Sequence, residues 1–392
     1  MSEKSQNLYL QYINTPSLDI EICDVTLRDG EQTPGTAFTY KEKIDIAQRL
    51  DAMGIEIIEA GFPVTSKNEE KTVRDIAHLG LDSRICCLAR AIQSDVDTAL
   101  SCDVDIVSIF LATSDIHLKY KYNKTLDEAL DGAISVVEYA KDHGLTVRFA
   151  AEDATRTSVE NLIHVFKAGE EVGIDYASVA DTVGIMTPQT VDYLIREIKK
   201  EIKTPLCLHC HDDLGLATAN TLAGALAGVK QIHGTINGLG ERAGNTPLEE
   251  LLLNLNMHYG IDRYDLSHLL DLSQVVEKYS NVPVAKNKAV VGANAFAHES
   301  GIHVSAILKK AETYELYPPQ MVGGERSFVV GKHSGKAAVM FISKSIGYEL
   351  ADDELKTVME RVKECTEAKR GIPCERLKEM ILDIKHKNES AE

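Results

Sequence analysis

The chain has 392 residues, 44% hydrophobic and 26% charged. This composition excludes a disordered chain, a collagen-like repeat and a disulfide miniprotein, and the length allows two or three domains or one large barrel with an appendage. With 42 basic and 60 acidic residues the formal charge is −18, which argues against a surface that wraps nucleic acid or lies on anionic lipid.

No apolar run approaches the ~20 residues of a membrane span, and the polar start, Met1 to Pro16, lacks the apolar core of a signal peptide. The eight cysteines sit largely in apolar stretches such as Ile85-Cys86-Cys87-Leu88, which reads as reduced core thiols of a cytoplasmic protein.

Short β-branched runs recur along the chain: Ile20–Val25, Ile55–Ala60, Arg84–Ala89, Val104–Leu111, Thr146–Ala151, Tyr176–Ala180, Pro205–Cys210 and Gln231–Asn237. Amphipathic segments separate them. Thr39–Met53 carries Ile44, Ala47, Leu50 and Ala52 on one helical face, and Pro188–Ile202 begins with proline and carries Leu194, Ile195 and Ile198. This alternation predicts an α/β fold, a (β/α)₈ barrel, with a doubly wound open sheet as the alternative.

A barrel demands polar chemistry at the C-terminal ends of its strands. Arg28-Asp29, Glu59, Arg90, Thr113-Ser114, Glu152-Asp153, Asp181-Thr182, His209 with His211, and Asn237 through Asn245 follow the runs in order. The predicted organisation is an N-terminal extension (1–18), a catalytic barrel (19–280) and a smaller, mainly helical subdomain (281–392). In the last part Asn281–Asn294 reads as loop, Phe296–Lys310 as helix, Ala351–Cys365 as an amphipathic helix with Leu355, Val358, Met359 and Val362 on one face, and the final dozen residues as frayed.

His209-Cys210-His211 is the sharpest motif. Residues i and i+2 of a strand point to one side, so both imidazoles project together, and neutral imidazoles suit divalent transition metals. Asp29 and Asn245 can complete a metal site at the same face. Cys207-Leu208-His209-Cys210-His211 also matches a c-type haem attachment pattern, but that chemistry needs export, and alternation puts the two cysteines on opposite faces. A zinc ribbon lacks a second cysteine pair at suitable spacing.

Gly238-Leu239-Gly240-Glu241-Arg242-Ala243-Gly244-Asn245 lacks the spacing of a dinucleotide fingerprint. It reads as a ligand-binding loop in which Gly238, Gly240 and Gly244 let backbone amides approach a cofactor. Arg28, beside Asp29, has the chemistry to stabilise an oxyanion. Outside the barrel, His298 and His303 are five apart and share no helical face. His298 reads as a surface histidine, His303 as an acid–base candidate with Tyr314.

At these residues the chain resembles the 2-oxo acid condensing enzymes that use acetyl-CoA: 2-isopropylmalate, citramalate and homocitrate synthases, with hydroxymethylglutaryl-CoA lyase more distant. The matching segments are Asp24–Gln32, Ile58–Pro63, Glu152–Thr157, Asp181–Pro188, His209–Gly215, Asn237–Glu250, His298–Ala306 and Thr313–Glu315. The resemblance implies a barrel with a lid-like helical subdomain, working as a homodimer. It implies a divalent ion (zinc, manganese, magnesium or cobalt) on Asp29, His209 and His211, with Asn245 as a further ligand. It also implies Arg28 polarising a carbonyl, Thr182 on the oxo-acid carboxylate, a catalytic Glu152, and His303 with Tyr314 assisting proton transfer. Glu59 and Arg90, at strand ends, join the substrate-binding candidates.

Within this group the chain resembles the archaeal homocitrate synthases, which serve 2-oxo acid chain elongation toward coenzyme B. Arg148 stands where homocitrate synthases tend to have arginine and isopropylmalate synthases glutamate, and a cation there suits the distal carboxylate of 2-oxoglutarate. The alternative, that Arg148 pairs with a neighbouring acid and never meets substrate, stays open. The chain also stops soon after the subdomain, without the regulatory domain of long isopropylmalate and citramalate synthases. Leu88-Ala89-Arg90-Ala91 and Thr113-Ser114-Asp115-Ile116-His117 lean toward the isopropylmalate branch, so a 2-isopropylmalate or citramalate synthase without that domain is the runner-up. A lyase of the hydroxymethylglutaryl type would carry a cysteine in the glycine-rich loop, and residues 238–245 have none.

Overall fold

The computed structural model describes residues 8–9, 12, 16–331, 335–367, 372 and 374–389. Most of the predicted N-terminal extension lies outside them. The chain forms two compact units, residues 1–283 and 284–392.

In the first unit eight parallel strands close a barrel: β1 (Glu21–Asp24), β2 (Ile57–Gly61), β3 (Arg84–Arg90), β4 (Ile106–Ala112), β5 (Thr146–Glu152), β6 (Tyr176–Asp181), β7 (Leu206–Cys210) and β8 (Gln231–Gly234). β1 pairs with β8 over Glu21↔Gln231 to Asp24↔Gly234, which removes the sheet edges and rules out the open sheet. All eight predicted runs are strands, with ends shifted by up to three residues.

The intervening helices start where the sequence supplies a cap. Thr39 and Thr125 form capping boxes with Glu42 and Glu128, and Ser66 and Ser158 accept the backbone N–H three residues on. Thr187 precedes Pro188 at the first helical position, with Val191, Leu194, Ile195 and Ile198 buried. In helix Tyr40–Ala52 the buried face is Lys43, Ile46, Ala47 and Leu50. Ile44 is only half-buried and Ala52 exposed, because the buried stripe includes a lysine. Its ammonium is satisfied by the Leu27 carbonyl, Glu69 and Glu31.

Side chains of alternate residues fill the barrel base: Cys23, Val25, Ile57, Cys86 and Ile106 make one buried layer. Above it the inward positions turn small or polar, namely Ser108 on β4, Ala150 on β5, and Ser178 and Ala180 on β6, and a cavity of about 380 Å³ opens there.

The second unit has its own core, in which Val304, Phe328, Val339, Leu355, Val358, Val362, Leu377 and Ile381 are buried. Two expectations fail here. Only Gly301–Ile307 of the predicted helix 296–310 is helical, because Ala297–His298 pairs in parallel with Ser327–Phe328. Of the final dozen residues, 381–389 belong to helix Cys374–Glu389 rather than frayed chain, anchored by Leu377, Ile381 and Ile384, and 390–392 lie outside the described residues. The predicted helix at 351–365 forms as Asp352–Glu367. No helix among the described residues is long and apolar enough to cross a membrane.

Candidate active site

The site is built at the C-terminal ends of the strands. The β1 backbone ends in a tight turn, with the amides of Arg28, Asp29 and Gly30 all directed at the Val25 carbonyl, so Arg28 and Asp29 are held rigidly at the mouth. On β7, His209 lies inward, and His211 follows it by the period of two. An isolated bridge pairs His211 with Asn245 and thereby joins the glycine-rich loop to β7.

Asp29, His209 and His211 converge. The His209 and His211 Nε2 atoms are 3.3 Å apart, and Asp29 Oδ2 is 3.7 and 3.9 Å from them. All three are buried. Burial would raise the Asp29 carboxyl, but Arg28, the two histidines and the Asn245 amide outweigh it and hold it at about 2. Burial, helped by the neighbouring imidazole, pushes His209 down to about 3, and burial likewise lowers His211. A carboxylate facing two neutral imidazoles is a donor set for a borderline divalent ion. Donors about 2.1 Å from such an ion lie about 3.0–3.4 Å from one another, close to this triangle. Asn245 donates its amide to Asp29 Oδ2 at 2.6 Å and to the Leu239 carbonyl at 2.9 Å, while its own Oδ1 is buried without a partner. The four side chains therefore fit a metal, with Asn245 as orienting neighbour or fourth ligand.

Arg28 donates through Nη1 to Asp29 Oδ1 at 2.6 Å and through Nε to Glu59. Among the described residues its Nη2 has no hydrogen-bonding partner, and the side chain lines the cavity. Glu59 is not at the surface of the cavity; it lies behind it, taking Arg28 on Oε1 and Arg148 on Oε2. Arg148 lines the cavity and is 1% exposed. It also donates to Ser108 Oγ (3.1 Å), Gln231 Oε1 (2.8 Å) and His233 Nε2 (3.1 Å). The neighbouring acid that the sequence left as an alternative is real, yet the guanidinium still faces the cavity.

The Thr182 hydroxyl accepts the Asp153 backbone N–H at 2.8 Å, so its own hydrogen points elsewhere and is available to a ligand. Glu152 lines the cavity with both oxygens on Lys121, at 2.8 and 2.7 Å. Arg90 does not join the site. Its guanidinium folds back on Asp95 of the following helix, because the β3 end overshoots the rim. Gly238, Gly240 and Gly244 do not line the cavity either. A Cβ on Gly244 would overlap the Gly238 carbonyl, and one on Gly240 the Asn245 amide, so these glycines pack the loop beneath Asn245, while Glu241 and Arg242 are the loop residues that reach the cavity.

In the second unit His303 and Tyr314 stack at 4.0 Å. His298 is not a surface histidine: it is largely buried beside Glu315, which Arg326 holds with two short bonds. Sequence reasoning missed Lys121, Arg242 and His233. Lys121 belongs to a π-helical turn, Leu118–Tyr122, and Arg242 has φ +58, so no periodicity forecasts where either points. His233 was signalled, standing two residues after Gln231 on the inward side of β8. Cys207 and Cys210 are buried free thiols.

Comparisons with known proteins place the chain in a family. Residues 19–276 match the HMGL-like family model, and 290–370 match the "Homocitrate synthase post-HMGL domain-like" model. A protein named homocitrate synthase AksA, from Methanosarcina acetivorans, is 57% identical over 98% of this chain and 96% of its own. The chain belongs to the homocitrate synthase family. It is thus an enzyme of the acyltransferase type that joins two carbon skeletons. Related proteins carry other names: a 2-isopropylmalate synthase of Methanocaldococcus jannaschii is 48% identical over 90% of this chain and 69% of its own. Among solved structures, the Bacillus subtilis HMG-CoA lyase superposes with a TM-score of 0.63, 23% identity, covering 69% of this chain and 97% of that one, a likeness in fold alone.

Proposed function

We propose that the chain condenses acetyl-CoA with a 2-oxo dicarboxylic acid, 2-oxoglutarate foremost, to give homocitrate and free CoA, using a divalent ion on Asp29, His209 and His211. The observation that supports it is the placing of that triad and Arg28 at the mouth of a cavity with a second arginine, Arg148, at its floor.

When bound, the ion supplies Lewis acidity toward the ketone of the oxo acid. Arg28, through its unpartnered Nη2, donates to the ketone oxygen as negative charge grows there. Thr182 offers its hydroxyl hydrogen to the adjacent carboxylate. Of the five N–H groups of Arg148, Nε goes to Ser108, the two on Nη1 are shared among Gln231, His233 and the Cys23 sulfur, and one on Nη2 goes to Glu59. The fifth is left for the distal carboxylate of the substrate. Loss of a proton from the acetyl methyl generates the carbon nucleophile. His303 and Tyr314 carry this proton transfer, with Glu152 as a further catalytic residue, and the enzyme works as a cytoplasmic homodimer. Water then cleaves the thioester, and the loss of that bond draws the condensation forward.

The test is thiol release from acetyl-CoA with pyruvate, 2-oxoisovalerate, 2-oxoglutarate, 2-oxoadipate and 2-oxopimelate, with and without chelator. Preference for the dicarboxylates, abolished by chelator and restored by a divalent ion, is the expected result. Preference for pyruvate or 2-oxoisovalerate keeps the condensation and discards the substrate; no thiol release with any of them discards the condensation.

A further inference from the structure

The floor of the cavity holds a histidine to which no role has been given. His233, on β8, is 4% exposed and lines the cavity. Its Nε2 faces Arg148 Nη1 at 3.1 Å and Gln231 Oε1 at 3.0 Å. Its Nδ1 is buried and, among the described residues, has no hydrogen-bonding partner.

The proton on this ring is assigned from its neighbours. Its Nε2 lies 3.1 Å from a guanidinium that can only donate, so Nε2 carries no hydrogen and the ring is neutral with one N–H. A guanidinium N–H can only donate, and it carries a full charge, whereas the Gln231 carbonyl is neutral. The cation therefore decides: the two Nη1 hydrogens are shared among Gln231 Oε1, His233 Nε2 and the Cys23 sulfur, so Nε2 accepts and the ring proton resides on Nδ1. An N–H donor buried without an acceptor is costly, and a fold keeps such a group where a ligand completes it.

The acceptor has to be reached from the cavity. Ser108, Ala150, Ser178 and Ala180 leave the wall between the metal triad and the floor open. An apolar substrate tail would there meet Arg148 and an unpaired N–H and satisfy neither. A carboxylate satisfies both. We propose that His233 is a specificity-determining residue, its Nδ1–H donating to the distal carboxylate of the 2-oxo dicarboxylic acid beside Arg148. This rests on the condensation with a dicarboxylate put forward above.

Two conservative variants separate direct contact from support of Arg148. The side-chain amide of asparagine falls near the place of histidine Nδ1, and that of glutamine near Nε2, where its oxygen can accept from Arg148 Nη1. His233→Gln therefore keeps the Arg148 side of the ring and removes the donor; His233→Asn does the reverse. The measurement is KM for 2-oxoglutarate and for acetyl-CoA with the metal-loaded enzyme, with the thermal shift produced by 2-oxoglutarate as a binding readout. His233→Gln is expected to raise KM for 2-oxoglutarate about 10- to 100-fold, to leave KM for acetyl-CoA in place and to shrink the thermal shift. His233→Asn is expected to be the milder variant by about threefold or more. Equal losses, a larger loss in His233→Asn, or an unchanged KM in both overturns the inference. Wild-type enzyme that does not turn over 2-oxoglutarate marks instead the failure of the dicarboxylate reading, whatever the variants do.

Discussion

Arg148 and Glu59 form a buried ion pair inside the barrel, Nη2 donating to Oε2, with neither side chain in contact with bulk solvent. Glu59 holds Arg28 on its other oxygen, and Arg28 holds Asp29. Charges thus alternate along Asp29, Arg28, Glu59 and Arg148, from the metal triad to the cavity floor. Each arginine is neutralised before substrate arrives, which is what makes two buried guanidiniums tolerable so close together.

Removing the shared anion should therefore be expensive. Glu59→Gln preserves shape but leaves Arg148 uncompensated and Arg28 with Asp29 alone, and breaking a buried pair in this way costs about 3–5 kcal/mol. A chemical denaturation curve should show that loss, and the double variant Glu59→Gln, Arg148→Met should recover part of it, because the pair is coupled. A Glu59→Gln protein within about 0.5 kcal/mol of wild type, the range of an ordinary surface change, would mean that the alternation carries no stability.

The triad can be tested by metal content before any kinetics. Wild-type protein dialysed against a divalent ion should retain one ion per triad, and Asp29→Asn or His211→Ala should retain none. Asn245→Ala should weaken metal affinity by about 10- to 100-fold, the usual consequence of losing a group that orients a ligand. If calorimetry gives the same affinity for Asn245→Ala as for wild type, the amide bond to Asp29 Oδ2 is incidental.

Gly244 tests the loop by another route. It has φ +95, and a side chain there would collide with the Gly238 carbonyl. Gly244→Ala should push the loop aside and carry Asn245 off Asp29, so its metal affinity should fall as in Asn245→Ala while acetyl-CoA binding changes only in step with it. A variant that loses acetyl-CoA binding yet keeps its metal would restore the reading of these glycines as direct cofactor contacts.

What could be read from the residues followed the physics of periodicity. A strand alternates strictly, so His209 and His211 were bound to project together, and eight β-branched runs spaced by helices left little besides a barrel. The resemblance to homocitrate synthases, rather than the alternation, marked Arg148. The alternation did not reveal Glu59 as a counter-ion, because partners on different strands are set by barrel register. Nor did it place Arg90, whose side chain turns back on Asp95 once past the last inward layer. The buried Lys43 and the broken helix at 296–310 were lost for a related reason: a lysine counts as polar in any pattern, and a two-residue strand pairing at Ala297–His298 leaves no periodic trace.

Asp24 gives the clearest pH dependence away from the triad. It is fully buried on β1, and burial, only partly offset by the Thr26 N–H and hydroxyl, lifts its carboxyl to about 7. A folded pKa above the unfolded one means that the folded state binds the extra proton, so the stabilisation is complete below about pH 4 and is lost as pH rises through about 7. The span corresponds to about 4 kcal/mol at most. Asp24→Asn removes the titration and can still accept the Thr26 N–H. Its melting temperature should therefore vary less than that of wild type between pH 5 and pH 8, and the difference between the two proteins should move in favour of the variant as pH rises. The Thr26 hydroxyl also accepts the Ile236 N–H across the β1–β8 seam, so the variant is expected to start lower at pH 5, where wild-type Asp24 is protonated and bonded. A difference that stays constant across this range would mean that Asp24 titrates alike in the folded and unfolded chain, and that its burial at the seam is relieved by water.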